Sequence, residues 1–199
     1  GSEGPVYKKY EKGMIRPDGQ LGFNTPTGRI EFWCDALARF GYDPLPDYDE
    51  PAETPVSQPE LAKEYPFTLV TGHRLYAFFH SAWTNIPAQR ELYPHPFFLI
   101  HPDDAREIGV DNGEWATIES PRGRIKSKAH VTYEILKGVI AVPRHGWRDE
   151  CKELGLPGYG WDQANPNVLV PSRPAEPRYG ATAMRSSLCR VKKGVDFNE

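Results

Sequence analysis

One eight-residue run limits the fold more than any other, Arg124 to Val131 (RIKSKAHV). Strand side chains alternate between faces with a period of two. Ile125, Ser127, Ala129 and Val131 therefore share one side, and Arg124, Lys126, Lys128 and His130 the other. Such a strand has one buried face and one wet, basic face, and it needs partner strands. Phe67–Thr71, Phe97–Ile100, Glu114–Ser120, Val139–Val142, Val168–Val170 and Ser187–Val191 read as the partners. Phe97–Ile100 (FFLI) is apolar throughout, which predicts burial on both faces. One helix is expected from Pro102 to Ile108. Pro102 suits the first helical position, Asp103 and Asp104 favour the positive N-terminal end, and Gly109 stops it. Twenty prolines and eighteen glycines keep every element short and argue against a helical bundle. Seven short strands with one interposed helix predict a mainly β protein, a small closed barrel.

The first third of the chain reads differently. Residues 1 to about 24 are polar and punctuated by Gly and Pro, an extended lead-in. Arg29–Trp33 (RIEFW), opened by the turn Thr25-Pro26-Thr27-Gly28, predicts a strand. Asp35–Phe40 predicts a short helix capped by Asp35 and stopped by Gly41. Residues 43–60 hold Pro44, Pro46, Pro51, Pro55 and Pro59 among acids, as in a linker or a strap laid over a partner surface. The expected division is 1–60, lead-in and Pro-rich linker, and 61–199, the barrel domain.

Charge and spacing remove several functions. The net charge of −3 lacks the basic excess of a nucleic-acid or membrane-surface binder. No apolar run approaches the roughly 20 residues that span a bilayer. Gly1-Ser2 resembles a scar of tag removal, so the absence of a visible signal peptide says nothing about targeting. Cys34, Cys151 and Cys189 form no CxxC pair, so they read as free thiols and supply no zinc ribbon or iron–sulfur site. His73, His80, His95, His101, His130 and His145 show no HxH, HxxxH or HExxH spacing.

Four clusters could carry binding chemistry. Thr71-Gly72-His73-Arg74, with His80-Ser81 beyond it, ends a strand in a glycine turn that frees backbone N–H groups beside a guanidinium fork, an anion cradle. The plain alternative is a strand-end turn with a surface arginine. His101-Pro102-Asp103-Asp104-Ala105 offers Asp104 either to the helix dipole or to the paired N–H groups of a guanine edge. Pro143-Arg144-His145-Gly146-Trp147 either offers a ring donor in His145 and a stacking face in Trp147 to a flat heterocycle or holds a surface histidine and a partly buried tryptophan. Asn165-Pro166-Asn167, with Tyr179-Gly180 beyond it, is either a turn or a pair of amides able to read a pterin edge.

The order of these motifs along the chain resembles the molybdopterin-dinucleotide-binding, C-terminal domain of the dimethyl-sulfoxide-reductase family. The run TPTGRIEFWCDALARFGYDPLP looks like the segment that precedes that domain, so the resemblance covers about residues 20–192. It implies a six-stranded double-psi β-barrel with short added helices. It implies a bis-molybdopterin-guanine dinucleotide as cofactor, with molybdenum or tungsten held by other domains and the dithiolenes. By the same resemblance Thr71, Gly72 and Arg74 contact phosphate or pterin. His80, Ser81, His145 and Asn167 lie toward the pterin and metal, and Asp104 faces the guanine. His73 interrupts what is often Thr-Gly-Arg, which leaves the roles of His73 and Arg74 open. The metal ligand and any iron–sulfur cluster would lie upstream in a longer chain, making this piece inactive alone. Its partners would be the remaining domains of that chain and an iron–sulfur electron-transfer subunit. The compartment implied is prokaryotic cytoplasm or periplasm. A second reading is a double-psi barrel that binds proteins or peptides, which predicts an apolar groove.

Overall fold

The computed structural model describes residues 4–45, 47–80, 82–143, 159–173, 175–176 and 180–195. The chain divides into two compact units, Gly1–Asp49 and Glu50–Glu199.

In the first unit a 3-10 turn, Lys9–Lys12, and a helix α1, Asp35–Arg39, are the regular elements among the described residues. The strand expected at Arg29–Trp33 does not form. Local bonds hold this segment in a knot of turns instead. Thr25 Oγ1 donates to the Arg29 carbonyl at 2.6 Å, and the Thr27 N–H and Oγ1 both donate to Glu31 Oε1, at 2.8 and 2.7 Å. Threonine hydroxyls offer the backbone an alternative to a ladder. Asp35 is the first helical residue of α1 and not its cap; Cys34 precedes it, and the Asp35 carboxylate accepts from Trp33 Nε1 at 2.9 Å. Gly41 does end the helix, at φ +78°, donating to the Ala38 carbonyl.

The second unit is a closed barrel. Its strands are β1 (Phe67–His73), β2 (Phe97–Ile100), β3 (Trp115–Ser120), β4 (Gly123–Val131), β5 (Val139–Pro143) and β6 (Ser187–Lys193). They close in the order β1-β5-β2-β4-β3-β6. The β1/β5 and β2/β4 pairs are parallel, and the other neighbours are antiparallel. Short helices decorate it: α2 (Pro59–Glu64), α3 (Pro87–Arg90), α4 (Pro102–Ile108) and α5 (Trp161–Ala164). The core joins Leu69, Phe98, Ile118, Ile125, Ile140 and Leu169, all fully buried. The alternation of β4 holds: Ile125, Ser127 and Ala129 are buried, while Arg124 and His130 are exposed.

Two strand expectations change here. Val168–Val170 is not a strand, because a 3-10 turn, Pro166–Val168, takes its place. The Asn165 side chain accepts from the Asn167 N–H at 3.0 Å, and Pro166 has no N–H to give a ladder. β2 buries Phe98 and Ile100 but leaves Phe97 and Leu99 half-buried along a cleft. Among the described residues six strands form, not seven.

Part of the Pro-rich run belongs to the barrel unit. Glu53 accepts two bonds from Arg122, at 2.7 and 2.8 Å, and one from the Leu188 N–H at 2.7 Å. Arg122 Nε donates to the Leu169 carbonyl at 2.8 Å. The strap thus fastens the β3/β4 turn and the start of β6 together. Gly123, just past that turn, has no room for a side chain: a Cβ would stand 2.5 Å from Val168 Cγ1.

Candidate functional site

Parallel pairing sets the polarity of the site. Thr71 lies beside Val142 and His73 beside Pro143, so β1 and β5 end on the same rim. At that rim Gly72 adopts φ +96°, and the register shifts between Thr71 and His73. A residue with a Cβ adopts this backbone only with strain, and the shift re-aims the chain as it leaves the barrel. Thr71 anchors the bend from below. It is buried, and both its N–H and its Oγ1 donate to the Met184 carbonyl, at 2.9 and 2.8 Å.

Beyond the bend, His73 and Arg74 are exposed and line a cleft of about 650 Å³. The wet face of β4 supplies Lys128 and His130 to the same cleft, and the segment that leads into β2 and its first residue supply His95 and Phe97. Tyr76 and Tyr93 add aromatic surface, Asn112 adds an amide, and Glu134 is the carboxylate among the lining residues. Tyr93 stacks on Phe97 with ring centroids 5.7 Å apart, and Phe97 meets His130 edge-on at 5.9 Å. His95 bonds through Nδ1 to the Tyr159 hydroxyl. Burial, then the cations Lys128 and Arg90, push the His95 imidazole below the usual histidine range. The cleft therefore combines two basic side chains, imidazole rings and flat apolar walls. That chemistry suits an anionic ligand carrying a heterocycle.

The other residues singled out from the sequence distribute as follows. Asp104 is at the opposite end of β5: its Oδ2 accepts from the Gly138 N–H at 2.7 Å, just before that strand begins. It is buried and does not line the cleft. β5 separates it from the His73 rim by about 15 Å at roughly 3.3 Å per residue. His80 stands at φ +56° and Trp83 at φ +71°, both unusual for residues with a Cβ, in the loop that follows Arg74. His80 is half-buried with its ring 4.9 Å from that of Phe79. Asn165 acts as the cap described above, and Asn167 is exposed. Ser81, His145, Trp147 and Tyr179 lie outside the described residues. Among the described residues no group of three or more His, Cys, Asp and Glu could hold a metal ion, and no helix is long and apolar enough to cross a membrane.

Lys128, His130 and His95 were missed from the sequence. The wet face of β4 reads equally as a solvated stripe, and only the parallel β2/β4 pairing, with Leu99 beside His130, brings that face to Phe97 and His95. The Pro94-His95-Pro96 triplet was the available signal, a histidine held rigid on both sides.

Comparison with known proteins gives a consistent set. A family model described as Molydopterin dinucleotide binding domain matches residues 67–187. Acetylene hydratase of Syntrophotalea acetylenica is 38% identical over 145 residues, 71% of this chain and 20% of that protein. Dopamine dehydroxylase of Eggerthella lenta is 30% identical across 97% of this chain and 21% of its own length. Dimethyl sulfoxide reductase of Escherichia coli (strain K12) is 30% identical across 90% of this chain and 22% of its own. The solved structure of acetylene hydratase from Pelobacter acetylenicus superposes with a TM-score of 0.76 at 31% identity, over 90% of this chain and 25% of that one. The chain spans about a fifth of the length of the curated relatives it matches.

Proposed function

The chain belongs to the molybdopterin-dinucleotide-binding family of molybdenum oxidoreductases, and from that premise we propose that the cleft at the β1/β5 rim seats part of a molybdopterin guanine dinucleotide. The observation that carries the reading is convergence. Arg74 from the end of β1 and Lys128 from β4 face one cleft with the aromatic wall Tyr76, Tyr93 and Phe97. The cations fit the pyrophosphate, and the flat rings fit a pterin or purine. Gly72 lets the backbone turn there, and His73, Asn112 and His130 add polar contacts around the rim. His80, Ser81, His145 and Asn167 extend this reading toward the pterin, as the family resemblance implies, and Trp147, Asn165 and Tyr179 are further candidate contacts with the cofactor. Asp104, assigned by that resemblance to the guanine, is better read as a barrel residue that supports Gly138.

When bound, the cofactor supplies the redox or atom-transfer chemistry through its molybdenum or tungsten; the protein supplies binding, orientation and electrostatics. The parent protein is read as a multidomain oxidoreductase in which further domains complete the cofactor's enclosure, with an iron–sulfur subunit as electron partner.

The test is a paired substitution in the full-length parent enzyme. Arg74→Ala removes a charge-assisted bond to a phosphate, which costs about 1.5–3 kcal/mol. Arg124→Ala removes an exposed charge, worth under about 1 kcal/mol. Molybdenum and guanine-nucleotide content per enzyme should fall more for Arg74→Ala, at equal folding by circular dichroism. Equal losses, or a larger loss for Arg124→Ala, would place the phosphates on another element.

A further inference from the structure

His95 is a polar cleft residue that neither the family motifs nor the cation argument uses. Its backbone is fixed. Pro94 and Pro96 flank it, and the Pro96 carbonyl accepts from the Lys128 N–H at 2.8 Å, tying the triplet to β4. Its ring is fixed too. Nδ1 meets the Tyr159 hydroxyl, and both rings pack edge-on or tilted against Trp115, at centroid distances of 5.8 Å for His95 and 5.8 Å for Tyr159. Among the described residues, the charged groups that shift the imidazole are Lys128 on β4 and Arg90 on α3, with burial as the larger influence, and the same cleft also holds His73, His130 and the Glu134 carboxylate. Lys128 Nζ also lies 5.4 Å above the Trp115 ring, and Lys126 Nζ 5.4 Å above that of Tyr159.

Which atom carries the shared proton follows from acid and base strength. A phenol is a stronger acid than a neutral imidazole N–H, and an imidazole nitrogen is a stronger base than a phenol oxygen. The stable arrangement is therefore O–H of Tyr159 donating to Nδ1. The remaining ring proton then sits on Nε2, because the bond made by one ring nitrogen sets the state of the other.

We propose that Tyr159 holds His95 as the neutral Nε2–H tautomer, so that His95 is a hydrogen-bond donor to an anionic oxygen in the cleft and not one of its cations. The ligand is a nucleoside diphosphate group, an assignment that rests on the cofactor reading above. The division of labour is specific. Arg74 and Lys128 supply charge, whereas His95 supplies direction at no change of protonation. Binding should thus gain nothing from His95 as pH falls through the normal histidine range. A metal-binding or cationic histidine would behave oppositely.

The experiment has two arms on this 199-residue chain. Long-range proton–nitrogen NMR on ¹⁵N-labelled protein reads the tautomer of His95 directly, without ligand. The expected result is the Nε2–H form at pH 7, persisting below the midpoint of about 6.5 for a free histidine. In Tyr159→Phe the Nδ1–H form should appear and the midpoint should rise. A wild-type Nδ1–H tautomer, or an imidazolium at pH 7, overturns the proposal whatever the ligand. The second arm titrates guanosine diphosphate by calorimetry. His95→Phe should weaken binding about tenfold, as expected for one hydrogen bond to a charged oxygen. His95→Gln, which keeps a donor, should stay within about twofold. Equal losses in Gln and Phe overturn the donor role. If wild-type protein shows the Nε2–H tautomer yet takes up no guanosine diphosphate, the cofactor reading and the assigned ligand fail while the Tyr159–His95 tautomer stands.

Discussion

Replacing Glu53 with alanine tests whether the proline-rich strap is part of the barrel's stability. Glu53 accepts three bonds of 2.7 to 2.8 Å, two from Arg122 and one from the Leu188 N–H. Its side chain is 13% exposed and that of Arg122 27%, while Leu188 is fully buried. Truncation leaves the Leu188 N–H without its acceptor, a cost of about 1–3 kcal/mol. It also breaks a half-buried ion pair. The wholly buried case costs about 3–5 kcal/mol and the exposed case under about 1, so roughly 1–2 applies here. The sum is about 3 kcal/mol. At about 2–4 °C per kcal/mol for a unit of this size, the melting temperature should fall by roughly 6–12 °C. The assay is thermal and urea unfolding of Glu53→Ala, Arg122→Ala and the double variant by circular dichroism. The double variant should cost less than the sum of the two, because each single change leaves the other partner stranded. A loss under about 1 kcal/mol for Glu53→Ala, or strict additivity, would refute the reasoning and make the strap an ornament.

Four further outcomes follow from particular contacts. Gly123→Ala should destabilise by about 1–3 kcal/mol through overpacking against Val168, and adding Val168→Ala should recover part of that in the same unfolding assay. Asp104→Ala should lower the stability of the ligand-free chain by about 1–3 kcal/mol, since the Gly138 N–H loses its acceptor; a neutral result would return Asp104 to a purely ligand-directed role. The Arg190 bond, opposed by burial and aided by Lys192, holds the Glu119 carboxyl down at about 2 from an ordinary 4.5. Its folded value is depressed, so its stabilisation is present above pH 4.5 and disappears as pH falls toward 2; Glu119→Gln should flatten that acid limb in a pH series of urea midpoints. The chain alone should show only background turnover with an artificial electron donor and S-oxide or oxyanion acceptors, and metal-dependent turnover would refute its reading as a cofactor-gripping part.

Elements with a strong local pattern were legible in the sequence. The alternation of β4 and the Pro102–Gly109 frame of α4 each contain their own instruction, and both appear at the expected residues. Segments whose fate depends on a partner were not. Arg29–Trp33 has the composition of a strand, but the Thr25 and Thr27 hydroxyls take up the Arg29 carbonyl and N–H locally. Val168–Val170 is apolar because Leu169 enters the core from a 3-10 turn and not because it joins a ladder. The site divides in the same way. Gly72 and Arg74 announce themselves as a turn beside a fork of donors, whereas Lys128 and His95 meet only through the parallel β2/β4 pairing. That pairing joins segments about 30 residues apart in the chain, which no short-range pattern encodes.

Closure of the barrel has a consequence for assembly. Every one of the six strands has a neighbour on both sides, the circle being completed by β6 between β1 and β3. No row of unpaired N–H and C=O groups is left along it for another polypeptide to extend. A partner that docks on the described barrel strands must therefore grip side chains and loops, and an inhibitor built as an added strand would find no free edge among them. Surface redesign of the rim loops, in contrast, can proceed while the backbone ladder that supports them stays untouched.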